Sequence, residues 1–112
     1  MDKDYLAAAK IAQEALEEKK AEDIKILDLR GISNLADCFI IASGNNVNQL
    51  RAMADSVEEK MDKAGYKLHH TEGYQTATWI LLDYGDLLVH LFNSENRKFY
   101  GLERVWGDAK TL

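Results

Sequence analysis

The sequence predicts an α/β (α+β) fold in which a mixed five-stranded sheet is flanked by helices. Segments with apolar residues at three-to-four spacing alternate along the chain with apolar, strand-like runs. A strand, a helix and a returning strand indicate a parallel crossover, whereas two later runs joined by a tight turn indicate an antiparallel hairpin. The predicted order of elements is α-β-β-α-β-β-β-α. With 112 residues and no internal repeat or linker, the chain is expected to form a single domain over residues 1–112.

The first helix is predicted over residues 4–20. Its apolar stripe consists of Leu6, Ala9, Ala12 and Leu16. The segment is rich in alanine and ends in a pair of lysines, whose charge suits the carboxyl end of a helix dipole. It is therefore expected to form an amphipathic helix.

Two strands are predicted next, over residues 23–30 and 37–43. The first alternates apolar and polar residues, and the turn-forming residues 31–34 connect it to the second. In the second strand the run 38–42 is apolar on both faces. Because such a strand must be buried on both sides, it is expected in the middle of the sheet.

A second helix is predicted after the turn at residues 43–46. Asn46 is the expected N-cap, and Gln49 is its expected partner in a capping box. Gly65 fits the left-handed position that ends many helices, and a short strand around residues 67–71 follows it. The apolar stripe of this helix consists of Leu50, Met53, Ala54, Val57, Met61 and Ala64.

A hairpin is predicted from two apolar runs, residues 79–82 and 87–92, because the turn at residues 83–86 carries Gly and Asp. Successive residues of a strand point to opposite faces of the sheet. The core face of the second strand is expected to carry Leu87, Val89 and Leu91, and the other face Asp86, Leu88, His90 and Phe92.

The register of this hairpin has two alternatives. A two-residue loop of Tyr84 and Gly85 pairs Trp79 with His90, whereas a three-residue loop with Gly85 as a bulge pairs Trp79 with Val89. Tyr before Gly is unfavourable for a type I′ turn, which favours the bulged loop. Both alternatives place Tyr84 at the tip of the turn, where an aromatic is either packed under another element or offered to a partner.

A last helix is predicted after Ser94, which can act as its N-cap. One face of this helix is expected to carry Phe99, Leu102 and Trp106, leaving Tyr100, Glu103 and Arg104 to point elsewhere.

The charge of the chain argues against binding to nucleic acid. There are 14 Lys and Arg against 19 Asp and Glu, a net charge of −5, and no basic stripe that could track phosphates. An acidic chain that works near nucleic acid is expected to dock on a basic protein there.

The cysteine content, the apolar runs and the first residues of the chain indicate its cellular compartment. Cys38 is the only cysteine, so no intramolecular disulfide can form and a reducing compartment is suitable. No apolar run approaches the roughly 20 residues of a membrane span, and the first four residues are too acidic for a signal peptide. A cytoplasmic protein is expected.

Some residues suit an enzyme. Asp83 and Asp86, with His90 nearby, could hold a divalent metal or act in acid–base chemistry, although two Asp in a turn more commonly serve hydrogen bonding. The turn at residues 43–46 could cradle a phosphate, but it has one Gly and no following Lys. A metal-dependent nucleotide-processing enzyme therefore stays as one alternative, and a dimeric scaffold protein as another.

The chain resembles the ribosomal silencing factor family, also called iojap-related proteins. The residues that carry the resemblance are Ala36 to Gly44, Gln49 with Ala54 and Asp55, Glu72 and Gly73, Trp79, Asp83 to His90, and Phe99, Tyr100, Leu102, Glu103 and Trp106. The combined pattern A-D-x-F, S-G-x, D-x-G-D-x-x-V-H and Y-x-L-E-x-x-W is specific and covers nearly the whole chain. Residues 46–48 depart from the usual Ser-rich stretch, and the proline expected before Glu72 is absent.

The resemblance implies a translation repressor without enzymatic activity. Members of the family bind large-subunit ribosomal protein fourteen on the large ribosomal subunit and sterically block subunit joining when nutrients are scarce. Their fold is similar to that of nucleotidyltransferases, without the catalytic carboxylates. No cofactor or metal, little direct nucleic-acid contact and no membrane are implied, and the free protein can form a homodimer.

The resemblance also implies the residues of the ribosomal contact. The aromatic contacts are Trp79, Tyr84 and Tyr100, and the salt-bridge or hydrogen-bond partners are Asp83, Asp86 and Glu103. For Trp79 the alternative is a core tryptophan whose loss unfolds the domain.

Overall fold

The computed structural model describes residues 2–30, 36–94 and 110–111. The helices in these residues are α1 (Asp2–Glu18) and α2 (Val47–Lys63). The strands are β1 (Glu22–Asp28), β2 (Cys38–Gly44), β3 (His70–Glu72), β4 (Trp79–Asp83), β5 (Leu87–Asn93) and β6 (Lys110–Thr111). Within the described ranges, neither helix is long and apolar enough to cross a membrane. The predicted C-terminal helix after Ser94 lies outside the described residues.

All of these strands belong to one mixed sheet in the order β3-β4-β5-β2-β1-β6. β2 and β5 run parallel, and the other neighbouring pairs are antiparallel. The predicted mixed sheet is confirmed, and every residue of β2 is buried in its interior, as the sequence predicts. The two-residue strand β6 pairs with the end of β1 and has no counterpart among the five predicted strands.

α1 ends at Glu18, two residues before the predicted end. Lys20 adopts a left-handed φ of 59°, and the Ala21 N–H donates to the Leu16 carbonyl at 3.0 Å. This bond is part of a Schellman motif, which terminates the helix and turns the chain into β1. The spacing of apolar residues continues past such a stop, so it does not reveal where the helix ends.

The cap of α2 is partly as predicted. Asn46 is the N-cap, and its side chain accepts from the Gln49 N–H at 2.8 Å. The Gln49 side chain does not complete a capping box, because its oxygen accepts from the Asn45 N–H at 2.7 Å. Its amide nitrogen donates to the carbonyls of Lys19 and Lys20, both at 3.1 Å. Gln49 therefore ties the start of α2 to the end of α1.

Two groups of buried apolar residues lie on the two faces of the sheet. The helix-side core joins both helices to one face and includes Leu16, Ile40, Leu50, Met53, Val57, Met61, Ile80, Leu82, Leu87, Val89 and Leu91. The far-side cluster on the other face consists of Leu27, Leu29, Ala36, Phe39, Ile41 and Phe92, with Trp79 and Leu88 packed against it. The predicted alternation of faces along β5 is confirmed.

Both predicted registers of the hairpin are wrong. Trp79 pairs with Phe92, and the Tyr84 N–H donates to the Leu87 carbonyl at 2.9 Å. The turn therefore consists of Gly85 and Asp86, with a φ of 88° at Gly85, as a type II′ turn requires at its first central position. Tyr84 is not the tip of the turn: it directly follows β4, its N–H bonds to the Leu87 carbonyl, and its ring packs against the helix-side core.

Candidate partner-binding surface

Trp79 begins β4 on the face of the far-side cluster and is half-buried. Its ring stacks on that of Phe92, with ring centroids 5.2 Å apart. Its indole Nε1–H donates to Nδ1 of His90 at 3.1 Å. The indole is thus packed on one side and hydrogen-bonded at its only polar atom, so its remaining surface consists of ring carbons.

His90 lies inside the same cluster and is 5% exposed. Burial lowers the pKa of the imidazole from 6.5 to about 4, so the ring is neutral at neutral pH. Because Nδ1 accepts from Trp79, the ring proton lies on Nε2. Nε2 is buried and has no hydrogen-bond partner among the described residues.

Tyr84 lies on the opposite face of the sheet, toward α2. Its hydroxyl is buried without a hydrogen-bond partner in the described part of the chain. Burial raises the pKa of the phenol above its usual value of 10, and the carboxylates of Glu58 and Asp62 raise it further. A shallow cavity beside the ring is also lined by Glu59, Tyr66 and Leu68. Tyr84 is therefore a half-buried residue beneath an acidic helix edge.

Asp83, at the end of β4, and Asp86, in the turn, have different surroundings. The Asp83 side chain accepts from the Gly85 N–H at 2.8 Å, which is the hydrogen bond of an Asx turn. The Asp86 side chain is exposed, while its carbonyl accepts from the Asp37 and Cys38 N–H groups at 2.9 and 3.1 Å. Within the described ranges, no group of three or more His, Cys, Asp or Glu side chains could hold a metal ion.

The site residues named from the sequence do not all share one face. Side chains alternate along β4, so Trp79 and Asp83 point to the far side, whereas Tyr84 points to the helix side. Trp79 and Tyr84 are also separated by about 16 Å along the strand at the usual rise per residue. Tyr100 and Glu103 lie outside the described residues. A partner that contacts both Trp79 and Tyr84 would have to reach around the end of the hairpin.

Sequence reasoning missed a clamp that positions the segment before Trp79. Arg51 on α2 donates to the Tyr74 carbonyl at 3.0 Å and to the Gln75 carbonyl, and its guanidinium lies over the Tyr74 ring. The Tyr74 hydroxyl in turn donates to the Asp55 carboxylate at 3.1 Å. Arg51 and Asp55 lie one helical turn apart on α2. This spacing is the only feature of the sequence that could have indicated the clamp.

Gly73 allows this segment to approach β4. It has a φ of 79°, and a Cβ atom built there would lie 2.0 Å from the Trp79 carbonyl oxygen. No other residue fits without moving the backbone, because real Cβ atoms do not come that close. The Glu-Gly motif noted in the sequence therefore fixes the backbone on which Trp79 is placed.

The fold and this surface define a small α+β protein with a hydrogen-bonded, stacked tryptophan at one end of β4 and an acidic turn beyond the other end, and aromatic residues of this kind are enriched in protein-binding surfaces. The chain belongs to the ribosomal silencing factor family, since the family model described as "Ribosomal silencing factor during starvation" matches residues 2–112. Membership in this family makes the chain a ribosome-associated regulator of translation.

Individual relatives agree with this assignment. The ribosomal silencing factor RsfS of Bacillus subtilis (strain 168) is 44% identical over 100 residues, which cover 89% of this chain and 85% of the relative. The chloroplastic protein Iojap of Zea mays is 32% identical over 111 residues, covering 99% of this chain and 48% of that protein. The predicted family resemblance is thus confirmed.

Solved structures share the fold. A crystal structure of a Chromobacterium violaceum protein has a TM-score of 0.89 and 36% identity, covering 91% of this chain and 85% of that one. A crystal structure from Bacillus halodurans has a TM-score of 0.82 and 36% identity, covering 92% and 93%.

Proposed function

We propose that this protein binds large-subunit ribosomal protein fourteen on the large ribosomal subunit and sterically blocks joining of the small subunit, which lowers translation when nutrients are limited. Family membership supports the ribosomal partner and the regulatory role. The protein acts as a physical obstacle and catalyses no reaction in this proposal.

The observation that carries the proposal is the fixed orientation of Trp79. Its Nε1–H is held by His90 and its ring is stacked on Phe92, so little side-chain entropy is lost when a partner covers it. Tryptophans held in this way are typical anchors of protein interfaces, where truncation commonly costs about 2 kcal/mol or more.

The net charge of −5 supports a basic protein partner rather than ribosomal RNA. An acidic domain is repelled by phosphates and attracted by lysine and arginine side chains. Asp86 offers an exposed carboxylate at the turn of the hairpin. Direct contact with nucleic acid is accordingly a minor part of the proposed complex.

The proposed contact combines both kinds of residue. The aromatic members are Trp79, Tyr84 and Tyr100, and the acidic members are Asp83, Asp86 and Glu103. Because the Tyr84 ring packs against the helix-side core with its hydroxyl buried, we assign it a supporting role and Trp79 the central one.

The proposal includes the setting of the complex. The chain acts in the cytoplasm as one domain over residues 1–112, and it can form a homodimer when it is free of the ribosome.

Co-sedimentation of the purified protein with isolated large subunits tests the binding step. Wild type should pellet with the subunits, and Trp79→Ala should remain in the supernatant while keeping its folded circular dichroism spectrum. Leu6→Ala is the matched control, because Leu6 is an exposed apolar residue on α1 and is 44% exposed. Wild type that never pellets with large subunits would overturn the proposal.

A further inference from the structure

His90 is an unusual residue for the place that it occupies. It is nine-tenths buried in an apolar cluster, and the Phe39 ring packs against it with centroids 4.6 Å apart in an edge-on arrangement. An aliphatic side chain would fill this position without burying a polar atom. The Nε2–H of His90 has no hydrogen-bond partner among the described residues, so the imidazole carries an uncompensated cost of desolvation.

The other ring nitrogen of His90, Nδ1, forms a hydrogen bond with Trp79. Nδ1 accepts the indole N–H of Trp79 at 3.1 Å. The two residues are diagonal neighbours across the β4–β5 ladder, because Trp79 pairs with Phe92 and His90 pairs with Leu81. Aromatic side chains can meet across such a diagonal.

This contact is one of those that orient Trp79. β3 pairs with β4 only from Leu81 to Asp83, so β5 is the only described strand that pairs with Trp79. Stacking on Phe92 restrains the plane of the indole but allows the ring to slide or turn over within that plane. A hydrogen bond at Nε1 selects one of these orientations, because it fixes which edge of the indole faces His90.

We infer that His90 is a positioning residue, which holds the indole of Trp79 in the orientation that the ribosomal partner recognises. This inference rests on the proposed function. It also defines the chemistry of recognition: since Nε1–H is used inside the protein, the partner meets an apolar edge of the indole and needs an aliphatic or aromatic surface there. An aliphatic residue at this position would make the fold more stable, but it could not orient Trp79 as His90 does.

Two substitutions at His90 separate positioning from packing. His90→Asn keeps an acceptor close to the position of Nδ1, and His90→Leu fills the same volume without one. We expect His90→Leu to be at least as stable as His90→Asn, because the site is apolar. Its affinity for large subunits should nevertheless fall about tenfold below wild type, whereas His90→Asn should stay within about threefold. If His90 contributed packing alone, the more stable of the two variants would also bind large subunits more tightly.

The hydrogen bond itself is measured in the free protein by nuclear magnetic resonance. The expected result is a neutral His90 with its proton on Nε2, and a Trp79 indole N–H that exchanges slowly in wild type and faster in His90→Leu. A proton on Nδ1 would overturn the inference, and so would a folded His90→Leu that binds large subunits like wild type. If His90→Leu does not fold, the tautomer of wild type decides alone.

Failure of the proposed function gives a different result. Wild type would then show the Nε2–H tautomer and a protected indole but no binding to large subunits. That outcome overturns the role given to His90 together with the proposed function, whereas normal binding by a folded His90→Leu overturns the role of His90 only.

Discussion

The effect of truncating Tyr84 on stability depends on how far its side chain is buried. A residue at the tip of a turn can be truncated with little effect on stability, but Tyr84 packs against the helix-side core. Tyr84→Ala therefore removes core contacts, and it is expected to cost about 2–4 kcal/mol of stability. A loss of ribosome binding in that variant would not separate a contact residue from a packing residue.

Tyr84→Phe is a sharper test of this environment. Because the hydroxyl is buried without a partner among the described residues, its removal should leave the free energy of unfolding unchanged or raise it by about 1 kcal/mol. Tyr74→Phe is the control, since the Tyr74 hydroxyl donates to Asp55, and its removal should lower stability. Denaturant unfolding of both variants measures the difference, and a clear loss of stability in Tyr84→Phe would show that the buried hydroxyl is bonded.

His90 should make the stability of the protein depend on pH. Its pKa is lowered from 6.5 to about 4 in the folded state, so below pH 6.5 the unfolded chain binds a proton that the folded chain does not. This contribution to stability is complete above pH 6.5 and is lost as the pH falls toward 4, at about 1.4 kcal/mol per pH unit.

The control for this pH dependence is His90→Asn, which removes the titrating ring and retains the carboxylates. Denaturant melts between pH 7 and pH 5 should give a steeper loss of stability for wild type than for the variant. Parallel curves would mean that His90 titrates at its ordinary pKa and is accessible to water.

At the scale of elements, the segment from β3 to β4 is held by backbone contacts as much as by side chains. Gly73 lies against the Trp79 carbonyl, and the Arg51 clamp fixes the two carbonyls that follow. The position of Trp79 is therefore set by α2 and by this segment together, as well as by its pairing with Phe92.

Gly73→Ala should be much more damaging than Gly65→Ala. Both glycines have a positive φ, 79° and 91°, so both substitutions carry a similar conformational cost of about 1 kcal/mol. A Cβ at Gly65 would have no neighbour within 4 Å, whereas at Gly73 it would collide with backbone. The expected loss for Gly73→Ala is more than about 2 kcal/mol in denaturant unfolding. Equal losses for the two variants would contradict the close approach.

The sequence predicts those helices and strands whose pattern of apolar residues lies within one segment of the chain. Apolar spacing along α2 and the alternation along β5 identified the core faces, because each pattern is repeated several times within one element. The two residues of β6 are too few to carry any pattern. The predicted register is wrong because turn-type residues at positions 83–86 do not show which two of them form the loop, and the loop consists of Gly85 and Asp86.

The site was less predictable than the fold. The family resemblance drew attention to Trp79, but no pattern in the sequence places its indole on His90, since diagonal neighbours depend on the register. The Arg51 clamp joins residues 23 positions apart, and its acceptors are backbone carbonyls that every residue carries. Contacts of this kind appear only once the elements are packed together.

For the whole molecule, the net charge of −5 should steer the protein toward a basic partner. Asp86→Asn is expected to slow association with large subunits about two- to threefold at low salt, with little effect on dissociation, because an exposed carboxylate acts mainly on the encounter. The control is Glu14→Gln, which changes the net charge equally at an exposed position on α1. Equal effects of the two variants would place the encounter surface elsewhere on the molecule.

Subunit joining followed by light scattering tests the central claim most directly. Large subunits are first incubated with wild type, Trp79→Ala or Leu6→Ala, and small subunits are then added. The account predicts that wild type and Leu6→Ala suppress the rise in scattering, whereas folded Trp79→Ala allows it. Normal joining in the presence of saturating wild type that is bound to large subunits would contradict the claim that this protein acts as a steric block.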